Sequence, residues 1–239
     1  MPVGEHWDIP LGDMVARYRR GADGVTVGLE LIPTILLDQI VPRREWLTEP
    51  AVTRLPSQWG PFRAWNVDPL AHVKVLGDDC PGGFAQGRTM RGAGRLAFVR
   101  QEVLEDEGIR VLTTFRHPAG LEVVHELAWR AGLPFVTVRT TATNCDLAPV
   151  SLELLTSFSL GGITPFDGAD APERLWLHRF RSGWSAEGRL ESVPAEALNL
   201  DRSWTGHSVF CERFGQVGSI PSRGFFPRVL AEDRVAGVF

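Results

Sequence analysis

Alternation of apolar and polar residues with a period of two constrains this chain more than any other feature. In "VTVGLEL", Val25, Val27, Leu29 and Leu31 point one way, and Thr26, Gly28 and Glu30 the other. In "LEVVHELAW", Leu121, Val123, His125, Leu127 and Trp129 share a face opposite Glu122 and Glu126. In "FVTVRTTAT", Val136, Val138 and Ala142 alternate with Thr137, Arg139 and Thr141. Such a pattern fits antiparallel strands with one face buried and one wet.

The connections agree. "DEG" (106–108), "HPAG" (117–120) and "RAGLP" (130–134) have the length and composition of hairpin loops. Residues 95–160 therefore read as a meander with strands near 95–104, 109–116, 121–129, 134–143 and 149–160. Further strands are predicted at 174–181 and 208–214. "RVLAEDRVAGVF" (228–239) reads as a hairpin turning at "AEDR", its second strand just begun at Phe239. Helix signals are sparse: "APERL" and "PAEAL" suit a turn or two, and "TILLDQIV" (34–41) fits strand or helix. The fold class is all-β, a sandwich of antiparallel sheets. No repeat and no linker divides the chain, so one domain over 1–239 is expected.

Residues 42–92 break the rhythm, with prolines 42, 50, 56, 61, 69 and 81 and tryptophans Trp46, Trp59 and Trp65. A long irregular segment inside a β domain is often functional, and it also serves to cover one end of a sandwich.

Charge narrows the partners. The net charge is −4, which argues against a general role on nucleic acid or anionic membrane, since both need a basic face. Lys74 is the only lysine among 25 basic residues. Cys80, Cys145 and Cys211 are scattered and offer no zinc-ligand spacing, so packed, reduced thiols and no metal are expected. "MPVGEHWDIPLGD" lacks the basic and apolar regions of a signal peptide. No stretch approaches the roughly 18 apolar residues of a membrane span. The expected location is the cytoplasm.

Few stretches carry chemistry. "GGFAQGRT" (82–89) misses the phosphate-binding loop by Arg88 in place of lysine, and "DDCP" sets carboxylates where phosphate would sit. It reads as a glycine-rich loop between strands, and no cofactor is expected. His125 lies on an apolar face and suits a hydrogen-bonded core residue. Ser182, Ser185 and Ser208 lack a nucleophile's context. Asp78 and Asp79 are adjacent and point apart on an extended chain. Glu187 and Glu191 face one sugar only if folding converges them. The most site-like stretch is "LHRFRSGWSAEGRLE" (177–191). Trp184 suits stacking on a sugar face, with Arg179, Arg181 and Glu187 bonding hydroxyls. The commoner role for such a Trp is burial over the sandwich edge, after a turn at Ser182-Gly183.

Three segments in order carry a family resemblance: "VRTTATNCDLAPVSLELLTSFSLGG" (138–162), "LHRFRSGWSAEGRLE", and "GQVGSIPSRGFFPRVLAEDRVAGVF" (215–239). Together with "PGGFAQGRTMR" (81–91), they are similar to the N-terminal domain of family 36 glycoside hydrolases, the bacterial α-galactosidases. The resemblance implies a large antiparallel β-supersandwich, related to galactose mutarotase, ahead of a (β/α)8 barrel. It implies a parent enzyme that cleaves terminal α-galactosides with retention, through a glycosyl-aspartate on the barrel. No catalytic residue is then expected within 1–239, and the sandwich is expected to be cut at its C-terminal edge. Family members can complete the sugar pocket with N-terminal loops, sometimes across a subunit boundary. Trp46, Trp59, Trp65 and Trp184 are the candidate contacts for an α-galactoside or oligosaccharide, and a homo-oligomer fits that picture. Two other functions stay open. One is a stand-alone carbohydrate-binding sandwich, motivated by eight tryptophans. The other is a mutarotase-like epimerase, for which His125, His178 and Glu187 are the only acid–base set.

Overall fold

The computed structural model describes residues 6–21, 24–41, 69–77, 96–161, 163–166, 173–198 and 224–237, without the side chain of Pro227. Among these, every pairing between strands is antiparallel and the only helices are short 3-10 turns, so the fold is all-β. The chain divides into two compact units, residues 1–39 with 45–162 and residues 40–44 with 163–239.

The first unit opens with β1 (His6–Leu11), β2 (Met14–Arg20) and β3 (Val27–Pro33), paired in that order. Gly12 and Asp13 form the tight turn between β1 and β2, with Gly12 at φ +71°. The first central residue of such a hairpin turn needs that left-handed backbone, which glycine takes without a Cβ clash. After β3 the ambiguous run folds as a 3-10 helix, Thr34–Gln39. The meander follows as β5 (Ala97–Glu105), β6 (Gly108–Arg116), β7 (Leu121–Arg130) and β8 (Val136–Asn144). These form one sheet in chain order.

The expected fifth strand of the meander does not continue that sheet. β9 (Leu152–Leu155) is short and pairs with β4 (Val73–Val75). The chain leaves the sheet at Asn144, whose side-chain amide donates to Ala148 O (2.8 Å) and whose Oδ1 accepts from Asp146 N (3.0 Å). This Asx turn, followed by Pro149, diverts the backbone.

Inward residues of β1–β3, including Leu11, Ala16, Tyr18, Val27 and Leu29, join Val111, Phe115, Leu121, Val123 and Leu127 of β6 and β7 in one apolar cluster. Each Val, Leu or Phe among them contributes about 1.5–3 kcal/mol by leaving water. The alternation read for β7 holds, with Leu121, Val123, His125 and Leu127 buried. In β3 it does not leave the polar face wet. Glu30 is buried at 4% exposure and accepts from Arg19 Nε at 2.8 Å, while Val25 precedes the strand and is exposed. A buried carboxylate persists there because a guanidinium on the neighbouring strand neutralises it.

A polar row crosses the core side of the meander. Register aligns Gln101, Thr113, His125 and Thr140 across four strands. Trp7 Nε1 donates to Gln101 Oε1 (2.6 Å), Gln101 Nε2 donates to Thr113 Oγ1 (2.8 Å), and Thr140 Oγ1 donates to Ser157 O (3.0 Å). His125 lies between the two threonines, fully buried, and neither ring nitrogen has a partner. The core position matches the sequence reading, but the expected ring hydrogen bond is missing. Cys145 is exposed and free, against the packed thiol expected, and Cys80 and Cys211 lie outside the described residues.

The second unit contains β10 (Leu175–Arg181), β11 (Leu190–Pro194) and β12 (Phe225–Asp233), in the order β11-β10-β12. "PAEAL" supplies a 3-10 turn at Ala195–Leu198. The hairpin expected at 228–239 does not turn at "AEDR". Ala231 to Asp233 stay in β12, and Arg234 to Gly237 are turn. Asp233 causes this: its Oδ1 accepts from Val235 N and Ala236 N at 3.0 Å, and its O accepts from Gly237 N at 2.8 Å. Its carboxylate also takes Arg174 Nη2 at 3.0 Å, so it is wholly buried yet paired. The predicted strand at 208–214 lies outside the described residues.

Candidate functional site

The site-like stretch 177–191 spans the β10–β11 hairpin. Its loop is built from two successive tight turns. Ala186 N donates to Gly183 O (2.9 Å) and Arg189 N donates to Ala186 O (3.1 Å). Gly188 N donates to Arg181 O (2.8 Å), Arg181 N to Arg189 O (2.9 Å), and Ser182 N to Gly224 O on the chain entering β12 (2.9 Å). Trp184 and Ser185 are the central residues of the first turn. Ser185 has φ +62°, the left-handed backbone that a type II turn requires at its third residue. A non-glycine residue there costs about 1 kcal/mol, which the surrounding backbone bonds offset.

Trp184 stands on this turn at 94% exposure. Burial over the sandwich edge is therefore excluded, and its ring is free to meet a ligand. The neighbours expected to bond sugar hydroxyls are arranged differently. Arg179 is buried at 5% exposure, and both Arg179 and Arg181 donate to the Glu191 carboxylate. Both guanidiniums also lie over the Phe225 ring, at 4.4 and 5.3 Å. Arg179 is thus a structural cation and not a sugar contact. Burial pushes the Glu191 carboxyl up, but the two arginines outweigh it and hold it below the usual range. Glu191 cannot serve as one of a free carboxylate pair while it holds both. Glu187 is exposed in the loop.

The acid–base set considered from sequence is divided between the two units. His125 belongs to the core of the first unit. His178 belongs to β10, where Nδ1 lies 2.8 Å from Ser192 Oγ and Nε2 lies 2.9 Å from Glu232 Oε2. Its carboxylate partner is thus Glu232 of β12, not Glu187. Arg234 Nε donates to the same Glu232 oxygen (2.9 Å), and its guanidinium sits 3.5 Å over the Trp176 ring. The Arg234 hydrogen bond, aided by His178, holds the Glu232 carboxyl below its ordinary range against the opposing effect of burial.

Ser192 was missed in sequence because it sits in "LESVP" without a marking motif. The available signal was geometric: in a β10–β11 hairpin the register puts Ser192 opposite His178. Of the remaining candidates, Ser182 is buried and Ser185 holds the turn. Trp46, Trp59, Trp65, Asp78, Asp79, Ser208 and the 82–89 loop lie outside the described residues. No group of three or more His, Cys, Asp or Glu suited to a metal occurs among the described residues. No helix among them is long and apolar enough to cross a membrane. Compared with family models, curated proteins and solved structures, the chain finds no match in any of the three.

Proposed function

We propose that this chain is a carbohydrate-binding β-sandwich portion of a retaining α-galactosidase-type glycoside hydrolase, itself without the hydrolytic aspartates. One observation carries the binding half of this reading. Trp184 is almost fully exposed on a turn locked by backbone hydrogen bonds. An indole held outward on a rigid loop offers a flat apolar surface without the entropy cost of ordering a mobile one. The axial C–H face of a galactose ring is apolar and matches such a surface, while its hydroxyls meet the polar groups beside it. The all-β fold and the ordered resemblance to the family supply the hydrolase half. The cytoplasm is the compartment that goes with this reading.

Titration calorimetry against galactose, melibiose and raffinose tests the binding. Saturable heat that disappears in Trp184→Ala, with an unchanged melting temperature, is the expected result. Absence of heat at millimolar sugar, or equal affinity in Trp184→Ala, overturns the assignment to this loop. Trp59→Ala and Trp65→Ala provide parallel arms for two of the other three ring candidates. A separate assay addresses catalysis. Residues 1–239 should not turn over an aryl α-galactoside above a heat-treated control, and clear turnover would place the hydrolytic groups within this chain.

A further inference from the structure

Three neighbouring strands of the second unit each place one polar side chain on the same face of their sheet. Ser192 comes from β11 and His178 from β10, directly paired in the register, and Glu232 comes from β12, opposite Trp176. The hydrogen bonds run in series, Ser192 Oγ to His178 Nδ1 at 2.8 Å and His178 Nε2 to Glu232 at 2.9 Å. Their direction follows from chemistry. An ionised carboxylate only accepts, so Nε2 carries the hydrogen. A neutral imidazole then has its lone pair on Nδ1, and the serine hydroxyl must be the donor. That is the tautomer a base needs to take a serine proton. Glu232 is in turn fixed by Arg234.

Exposure divides the roles. Ser192 is open to solvent, while the His178 side chain is only 9% exposed. The base is sheltered and the nucleophile accessible. Apolar side chains flank the serine on the same face: Leu190 and Pro194 in its own strand, with Phe180 and Leu230 on the neighbours. Leu190 and Leu230 are 53% and 40% exposed, so apolar area is available beside the hydroxyl.

We propose that Ser192 is a nucleophile, activated by His178 and with Glu232 as the positioning residue, that accepts the acyl group of small esters with an apolar acyl chain. Ser192 Oγ adds to the ester carbonyl carbon as its proton passes to His178 Nδ1. The tetrahedral adduct collapses, the carbon–oxygen bond to the alcohol breaks, and the imidazolium returns the proton to the leaving oxygen. Water then attacks the acyl-serine, again losing its proton to His178, and Ser192 Oγ recovers it on leaving. The balance is ester plus water to acid plus alcohol, with no oxidation or reduction. This activity is independent of the sugar-binding loop and of any aspartate.

Reaction of the full chain with a fluorophosphonate, followed by intact-mass analysis and peptide mapping, tests the proposal. One label per chain at Ser192 is expected, lost in Ser192→Ala and retained in Ser185→Ala, which removes an exposed serine of the loop. His178→Gln should slow labelling by about 100-fold or more, the usual contribution of a positioned base. Glu232→Gln should slow it less while leaving the melting temperature close to that of the parent. A purely structural row would give no preference for Ser192 over Ser185, or a labelling rate indifferent to Glu232→Gln. Either result overturns the proposal, and both remain readable if His178→Gln fails to fold.

Discussion

Replacing His125 by leucine should abolish a specific pH dependence of stability. His125 is fully buried and neither ring nitrogen finds a partner. Burial pushes the imidazole down to about 4 from its ordinary 6.5, offset only in part by its own backbone. Its neighbours across the sheet are Thr113 and Thr140, and those on its own face in β7 are Val123 and Leu127. None ionises. Burial also raises the phenol of Tyr18, in the same core, so it stays neutral across the acidic range. Between about 6.5 and about 4 the unfolded chain binds a proton that the folded chain refuses. Stability is therefore complete above the unfolded value and falls as the pH drops toward the folded one. The loss is about 2 kcal/mol by pH 5 and about 3 kcal/mol in all. Against a typical domain stability of about 5–15 kcal/mol, that is a large fraction.

Urea unfolding at intervals from pH 7.5 to 4.5 measures this. Carboxylates also titrate toward the acid end, so the informative quantity is the difference between the parent and His125→Leu. That difference should move by about 2 kcal/mol in favour of the variant between pH 7 and pH 5. At pH 7 the variant should match or exceed the parent, because two unpaired buried polar atoms have been replaced by apolar ones. Parallel pH curves would refute the reasoning, as would a His125 ring resonance titrating near its ordinary value in the native protein.

Substitutions at three further positions probe other features. Tyr18→Phe removes a buried hydroxyl that lacks a partner, and should leave stability unchanged or raise it by up to about 1 kcal/mol; a drop beyond that in urea unfolding counts against the unpaired state. Gly12→Ala should destabilise by about 1–2 kcal/mol from backbone alone, and by more in practice, because the new Cβ would meet Trp129 Cζ2 at 2.9 Å; an unchanged midpoint sinks the account of the β1–β2 turn. Asp233→Ala leaves Arg174 without its buried partner and opens the turn after β12, so a loss of about 3–5 kcal/mol is expected. Asp233→Asn retains an oxygen for the two amide donors and should lose less; equal losses would mean that the turn contributes nothing.

What was legible in the sequence was local. β5 to β8 lie within about two residues of the ranges read from alternation and loop chemistry, because each strand there pairs with the next across a short turn. Alternation also put His125 on the core face. The β1–β2 hairpin was not read, although Gly12-Asp13 between apolar residues is a turn signal, because that signal is weak beside the longer runs. Non-local partners were not legible. An apolar run at 149–160 looks like a fifth meander strand, yet only pairing with Val73–Val75, distant in sequence, decides where Leu152–Leu155 goes. Glu30 looked like a wet-face residue because nothing in "VTVGLEL" announces Arg19 on the next strand.

His178 shows the same limit at the candidate site. Sequence grouped it with His125 and Glu187, whereas the sheet pairs it with Glu232, 54 residues away. Periodicity specifies which side of a strand a residue occupies, and a hairpin turn extends that to its partner strand. It says nothing about a third strand that returns from far along the chain. Ser192 is reachable by the first rule once the β10–β11 register is known, but Glu232 enters only because the order is β11-β10-β12. Sites assembled on three strands are therefore invisible to alternation even when each strand is correctly found. The measurement that separates a reactive row from an inert one here is chemical labelling of Ser192, since both have the same backbone.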